Sequence, residues 1–276
     1  MLCRSLLRLA PLALLSLGCK PKTPAAPASS VITVTGSDYQ FAGPDTVNAG
    51  LVTFRLTNTG KEPHQMVVFR IDSGKTMADV QAAMMKPDSP VPGYLAFPIG
   101  VSVIVPGDSG NATATLAAGQ YVMACFIASP DGTPHLAKGM VHPFVVVANT
   151  TAPAAEPTSD ITITEKDYDW TFSTPLTAGT HTIRVENAGP QIHEIALNQL
   201  APGKTLKDFQ AWMMGGMKGA APAKPVGGVT GPDVGGHQFF TATYTAGKYI
   251  LVCFVPDKAD GKPHALHGMI KEITVS

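Results

Sequence analysis

Between Leu51 and Thr57 the chain alternates: Val52, Phe54 and Leu56 are apolar, and Thr53, Arg55 and Thr57 between them are polar. That period of two belongs to a strand with one face buried. Ile183 and Val185, set against Thr182, Arg184 and Glu186, repeat the pattern further along. Many short runs of this kind, rich in Val, Ile and Thr and punctuated by Gly, Pro and Asn, predict an antiparallel β-sandwich. The period changes once in each half. Thr76-Met77-Ala78-Asp79 and Thr205-Leu206-Lys207-Asp208 are capping-box signals, and Met77, Val80 and Met84, or Leu206, Phe209 and Met213, follow at helical spacing. One short helix is expected in each half.

The two halves repeat one another. VITVTGSDYQF at Val31 answers ITITEKDYDW at Ile161, LVTFRLTNTG at Leu51 answers HTIRVENAG at His181, and GQYVMACF at Gly119 answers GKYILVCF at Gly247. The offset stays at 128 or 129 residues throughout, so this is a tandem duplication of one domain rather than a solenoid of short repeats. Two Pro/Ala/Ser-rich stretches, in 20–30 and 148–160, have the composition of solvated linkers. They divide the chain into an N-terminal segment 1–19, a tether 20–30, a first domain 31–147, a linker 148–160 and a second domain 161–276.

Composition narrows the setting. Twenty Lys and Arg balance twenty Asp and Glu, and a net charge of zero offers no nucleic-acid surface. Arg4 and Arg8 stand ahead of an apolar run from Leu9 to Leu17 that is too short to span a bilayer and reads as a targeting segment. The run ends Ser-Leu-Gly-Cys at Cys19, which resembles a bacterial lipoprotein signal, with Ser16 where that pattern has Leu. The resemblance implies lipidation of Cys19 and an anchor in a bacterial membrane; the alternative is a simple secretory signal. Either way the mature protein is expected outside the cytoplasm, in the periplasm, with no later stretch long and apolar enough to cross a membrane.

The duplication also filters candidate chemistry, because a residue with a role in both copies recurs at matching positions. Of eight histidines two pairs pass: His64 with His193, and His135 with His264. His142, His181, His237 and His267 have no matching His and are expected at the surface or in packing. Cys125 and Cys253 match as well, while Cys3 falls in the targeting segment. A disulfide between Cys125 and Cys253 would have to join equivalent strands of two separate domains and is not expected. Strand parity puts Tyr121, Met123 and Cys125 on one face, so the thiol either enters the core as an inert group or points at a ligand.

Each copy therefore holds a His after an Asn-x-Gly turn, a Cys at a strand end, a His after a Pro, and a Met five positions beyond that His. Two imidazoles, a thiolate and a weak thioether form a soft donor set of the blue-copper kind. Cys125 can end a strand, the Ser-Pro-Asp-Gly-Thr-Pro loop can turn the chain back, and His135 and Met140 can hang from that same loop. His64 is expected from a neighbouring strand end, bringing the two sheets together at the site. The methionines Met84, Met85, Met213, Met214 and Met217 are also possible Cu(I) ligands, but their helical spacing fits core packing better.

With AGxYxxxCF followed by His-x3-Gly-Met in both halves, nearly all of residues 31–276 resembles the cupredoxins, and the His-x3-Gly-Met part is similar to the type-1 site of multicopper oxidases. The resemblance implies an all-β chain of two tandem Greek-key β-sandwiches and copper as cofactor. The ligands it implies are His64, Cys125, His135 and Met140 in the first copy and His193, Cys253, His264 and Met269 in the second. One feature departs from the family, which usually puts about two to four residues between the Cys and the second His; here there are nine in the first copy and ten in the second.

Electron transfer with unknown redox partner proteins is the leading expectation. Copper storage or delivery with the same ligands is an alternative, and a metal-free interaction module is another. Two-domain cupredoxins also include nitrite reductases and small laccases, which bind a second copper largely through His-x-His pairs. No His-x-His occurs here, and Cys125 and Cys253 are flanked by Ala124, Phe126, Val252 and Phe254; the expectation is that the chain is not an enzyme.

Overall fold

A computed structural model of the chain describes residues 29–72, 74–84, 91–150 and 153–276. The targeting segment, Cys19, most of the tether, Met85 and the side chain of Met84 lie outside the described residues. The expected all-β architecture is observed. The first half contains β1 (Ser30–Ser37), β2 (Gln40–Ala42), β3 (Thr46–Asn48), β4 (Gly50–Asn58), β5 (His64–Ile71), helix α1 (Met77–Met84), β6 (Leu95–Ile104), β7 (Ser109–Leu116), β8 (Gly119–Ala124) and β9 (Val141–Val147). The second half follows with β10 (Ile161–Lys166), β11 (Asp169–Phe172), β12 (Gly179–Asn187), β13 (Glu194–Leu200), helix α2 (Leu206–Met214), β14 (Ala223–Thr230), β15 (His237–Tyr244), β16 (Gly247–Val252) and β17 (Ile270–Val275).

Two sheets run through both halves. One has the order β11-β10-β12-β15-β7-β4-β1-β2, the other β17-β16-β13-β14-β6-β5-β8-β9-β3. The halves meet edge to edge, β15 against β7 at Phe239 and Thr113, and β14 against β6 at Val229 and Val101. Polar groups close both seams. Asn111 donates to the Thr241 carbonyl at 2.7 Å and accepts the Thr241 N–H at 2.9 Å. The buried Gln238 accepts the Gly100 N–H at 3.1 Å and donates to the Thr230 carbonyl at 2.9 Å. Strand edges that would otherwise expose unpaired N–H and C=O groups are satisfied by the other half.

Alternation explains the layers. On β4, Val52, Phe54 and Leu56 are buried and Arg55 is exposed, as the sequence pattern requires. β5 is buried on both faces: Met66 and Val68 enter the core between the sheets, while Val67, Phe69 and Ile71 enter a second cluster that includes Val80 of α1. β8 divides the same way, with Tyr121, Met123 and Cys125 in the central core and Val122 and Ala124 in the outer cluster. In the second half Tyr249, Leu251 and Cys253 lie inward, and Ile250 and Val252 pack with Phe209 of α2. Each helix thus covers the outer face of the second sheet, which is why its strands read as continuous apolar runs.

Both helix starts form as predicted. The Thr76 and Thr205 N–H groups donate to Asp79 and Asp208, each at 2.8 Å, and the hydroxyls accept the Asp N–H groups, each at 3.3 Å. Of the methionines, Met213 packs partly buried with Leu206 against the Phe209 cluster. Met214 and Met217 are 69% and 48% exposed, which corrects the core expectation for them. At 100° per residue Met214 is turned away from the Leu206, Phe209 and Met213 stripe, and Met217 lies beyond the end of the helix.

Candidate metal centre

His64 is the first residue of β5, Cys125 directly follows β8, His135 opens a 3₁₀ turn over His135–Lys138, and Met140 directly precedes β9. Cys253, His264 and Met269 occupy the same places in the second half, and His193 directly precedes β13. All eight side chains are fully buried. β5 and β8 are hydrogen-bonded neighbours in one sheet, so His64 does not bring the two sheets together as expected. The opposite sheet contributes Asp38 and Tyr39, from the turn between β1 and β2, and these contact the histidine side chains from behind.

Backbone hydrogen bonds hold the loop residues together. Cys125 N–H donates to the Met140 carbonyl at 3.2 Å, Met140 N–H to the His135 carbonyl at 2.9 Å, and Leu136 N–H to the Cys125 carbonyl at 2.8 Å. The corresponding bonds from Cys253, Met269 and Ala265 have the same three lengths. Gly139 and Gly268, at φ 100° and 98°, end the 3₁₀ turns in the left-handed region that a side chain disfavours, and so return Met140 and Met269 toward the cysteines.

The long interval between Cys and second His is closed by the fold. Ala128 bridges Pro134, Ser129 N–H donates to the Thr133 carbonyl at 2.9 Å, and His135 N–H donates to the Ile127 carbonyl at 2.8 Å. Residues 128–134 are thus a pinched-off hairpin, leaving only Phe126 and Ile127 between Cys125 and His135 along the short path. In the second half Pro256 bridges Pro263, and His264 N–H donates to the Val255 carbonyl at 2.9 Å. The extra residue there is taken up inside the hairpin, so the spacing at its neck is unchanged.

Side-chain geometry is nearly identical in the two halves. His64 Nδ1 and His135 Nδ1 lie 3.1 Å apart, and Cys125 Sγ is 3.4 Å from His135 Nδ1; the corresponding distances for His193, His264 and Cys253 are also 3.1 and 3.4 Å. The outer nitrogens face oxygens. His64 Nε2 is 3.1 Å from Asp38, His135 Nε2 is 2.9 Å from Glu62, and His193 Nε2 is 2.7 Å from Asp167. His264 Nε2 lies 3.4 Å from the Gln191 amide oxygen and 3.5 Å from Asp257. Tyr39 and Tyr168 orient this outer layer by donating to Glu62 at 2.8 Å and to Asp257 at 2.6 Å.

The electrostatics favour neutral imidazoles. Burial lowers His64, with His135 adding to it, and burial likewise lowers His193; burial and His193 bring His264 down to about 4. Burial pushes the Cys125 thiol up to about 11 and the Cys253 thiol well above its ordinary value. Burial would also raise Asp38, but the Lys61 and Glu62 N–H groups and His64 outweigh it and hold its carboxyl below the usual range. In the tautomer that carries its proton on Nε2, each histidine turns its Nδ1 lone pair toward the other histidine of its half and toward the sulfur. A shared cation relieves that crowding, and the buried two-imidazole, one-thiol group in each half suits copper, whose binding displaces the thiol proton.

The other four histidines lie outside these groups. His142 donates to the Pro44 carbonyl at 3.3 Å with Asp45 beside it, His181 donates to the Thr177 carbonyl, His237 donates to Glu156, and His267 stacks on Tyr168 beside Asp260. Cys125 and Cys253 are free, buried thiols in separate groups. The sequence reading passed over Asp38, Glu62, Asp167, Gln191 and Asp257. Two of them were marked by the Asp-Tyr pair that recurs in register at Asp38-Tyr39 and Asp167-Tyr168. Carboxylates behind metal-binding histidines fix the tautomer and the ring orientation. Asp38→Asn is expected to weaken copper binding at the first site by about 10- to 100-fold, measured by competition with a calibrated chelator, with the second site unaffected.

No protein-family model matches the chain, and no curated protein matches it. Solved structures do. A reduced auracyanin from the photosynthetic bacterium Roseiflexus castenholzii is 24% identical, with a TM-score of 0.32, over 44% of this chain and 99% of that one. A Cu-containing nitrite reductase from Thermus scotoductus SA-01 is 12% identical, with a TM-score of 0.26, over 90% of this chain and 62% of that one. A blue copper oxidase from Nitrosomonas europaea is 15% identical, with a TM-score of 0.26, over 90% of this chain and 86% of that one. The expectation that the chain is not an enzyme is overturned at this point. Structures matched over 85–90% of its length carry the names of a Cu-containing nitrite reductase, a multicopper oxidase, a blue copper oxidase and a laccase. A missing His-x-His speaks to only one arrangement of ligands along a sequence, because folding also brings distant residues together. That expectation is withdrawn.

Proposed function

Because the chain is two cupredoxin-like sandwiches in tandem, each with a buried His, Cys and His group suited to copper, we propose that it transfers electrons through one type-1 copper in each half. The proposed ligands are His64, Cys125, His135 and Met140, and His193, Cys253, His264 and Met269. The observation that carries this reading is the convergence of two imidazole Nδ1 atoms and one Sγ, at matching distances, in both halves.

Copper in such a donor set supplies a one-electron Cu(II)/Cu(I) couple. The protein's part is to keep the donors in place through the change of charge. The backbone bonds among Cys125, His135 and Met140 do this from the loop, and Asp38 and Glu62 do it from behind the rings. Full burial keeps water from the sulfur and the Nδ1 atoms. Ile192, next to His193, packs against the apolar cluster that contains Leu136, next to His135, with Phe126 at its edge. That contact between the surroundings of the two sites supports passage of an electron from one half to the other.

We place the protein outside the cytoplasm on the character of its N-terminal segment, with Cys19 as a lipid anchor and redox proteins as partners. Among the described residues no helix is long and apolar enough to cross a membrane. Titration with Cu(II) is expected to saturate at two equivalents with an intense visible band, which a one-electron donor bleaches and reoxidation restores. A colourless protein that keeps no copper after dialysis defeats the proposal. Copper that passes to a chelator faster than it exchanges electrons favours storage or delivery instead.

A further inference from the structure

The two sites use different residues behind the second histidine. Glu62 and Gln191 each stand two residues before the first His of their half, and Asn58 and Asn187 hold them alike, each donating to the backbone carbonyl at 2.8 Å. Ser129 and Asp257 match in the hairpins, where Gly132 N–H and Gly261 N–H donate to their carbonyls at 2.8 and 2.9 Å. Glu62 and Ser129 of the first half thus become Gln191 and Asp257 in the second. The carboxylate is kept, but it moves from the segment before the first His to the hairpin. The tyrosine follows it, Tyr39 donating to Glu62 and Tyr168 to Asp257.

The move changes what reaches the imidazole. Glu62 lies 2.9 Å from His135 Nε2, the length of a charge-assisted hydrogen bond. In the second half the Gln191 amide oxygen is 3.4 Å and the Asp257 carboxylate 3.5 Å from His264 Nε2, both longer than a good bond. Asp257 is engaged elsewhere: it accepts from the Tyr168 hydroxyl at 2.6 Å, the Gln191 amide at 2.9 Å and the Ala259 N–H at 2.7 Å. Neighbouring charges do not undo this difference. Asp38 and Asp167 stand behind the first histidine in both halves, and Lys138, which reaches Tyr39, is paired with Asp131 at 2.9 Å.

From this geometry we infer that Glu62 is a positioning residue that acts through His135 to make the first site the stronger reductant, so that the change from Glu62 and Ser129 to Gln191 and Asp257 sets the direction of electron flow. The inference rests on the copper reading above. A carboxylate on the outer N–H of a metal-bound imidazole raises the basicity of the ligating nitrogen. The more highly charged Cu(II) gains more from a basic nitrogen than Cu(I) does, which lowers the potential of the first site. One electron then passes from Cu(I) in the first half to Cu(II) in the second, oxidising the one and reducing the other. The duplication gains a direction that two identical sites would lack.

The test uses full-length protein with one site silenced. Cys253→Ser leaves the first site to be read alone and Cys125→Ser the second, each by redox titration of its visible band. The first site is expected at the lower potential. On the Cys253→Ser background, Glu62→Gln installs the residue that the second half carries. It is expected to lower Cu(II) affinity by about 10- to 100-fold with little change for Cu(I), and each tenfold change in that ratio raises the one-electron potential by about 59 mV. On the Cys125→Ser background, Gln191→Glu combined with Asp257→Ser installs the pair of the first half and is expected to lower the potential of the second site. A residue that only braced the fold would change thermal stability and leave the potential where it was. Near-ultraviolet circular dichroism checks folding, and the order of potentials in the two single-site proteins needs neither variant. Equal potentials there, the reverse order, or an unchanged potential in folded, copper-loaded Glu62→Gln protein overturns the inference and leaves the copper reading standing. Failure of both single-site proteins to hold any copper overturns both.

Discussion

Cys125→Ser protein loaded with copper is expected to lose the visible band of the first site completely and to keep that of the second. The band comes from charge transfer between thiolate and metal, and a hydroxyl oxygen supplies neither the donor orbital nor the soft bond. The rest of the first site stays in place, because Cys125 is held through its backbone, with its N–H on Met140 and its carbonyl on Leu136. Cys253→Ser should remove the other band, and the double variant should be colourless. Absorbance per bound copper, read with metal content after dialysis, separates this from the alternative in which both thiols are inert core groups. In that case Ser costs stability at a fully buried position and the metal content does not change.

The two variants also show whether the halves act separately. They share both sheets across the seams at Phe239 and Thr113 and at Val229 and Val101. The ligands lie at strand ends and in the connecting loops of each half rather than at those paired positions. Loss of one site is therefore expected to leave the spectrum of the other unchanged.

Much of this was legible in the sequence, for a physical reason. A β-sandwich writes its period of two into any strand with one wet face, so β4 and β12 could be read directly from Val52, Phe54 and Leu56 and from Ile183 and Val185. The capping boxes at Thr76 and Thr205 depend only on residues three apart, and local signals survive without knowledge of the fold. The ligands were found because each half needs the same four, and chance positions do not recur together.

What escaped was non-local or asymmetric. The hairpins at 128–134 and 256–263 are closed by bonds such as His135 N–H to Ile127, and no spacing rule reveals that an insertion is pinched off at its neck. Neither does parity reveal which sheet supplies a group, so Asp38, reaching His64 from the opposite sheet, went unread. The filter that kept residues common to both copies discarded those on which they diverge. Gly36 against Glu165, and Gln65 against Glu194, are such positions, and they lie beside the two sites.

Glu194 gives the second large effect. It follows His193, is buried, and accepts the Phe254 N–H at 2.8 Å, yet burial still raises its carboxyl to about 7. A carboxyl raised on folding contributes stability that is fully present below its unfolded value, near 4.5, and is lost as pH rises through its folded value, near 7. The loss for the metal-free protein is on the order of 3 kcal/mol across that window. His193 and His264 act in the opposite sense, since burial lowers both; the contribution of His264 is present above about 6.5 and is lost as pH falls toward 4, and that of His193 is likewise lost as pH falls. The parent curve is therefore a dome, and the informative quantity is the difference between parent and Glu194→Gln. The Gln oxygen can still accept from Phe254, but it never ionises. The variant should match the parent near pH 4.5 and exceed it increasingly up to about pH 7, reaching roughly 6 to 12 °C in midpoint. Thermal unfolding of chelator-treated protein at a series of pH values measures this. A difference that stays flat with pH would mean that Glu194 ionises in the folded protein much as it does in water, and that its buried setting costs the charge nothing.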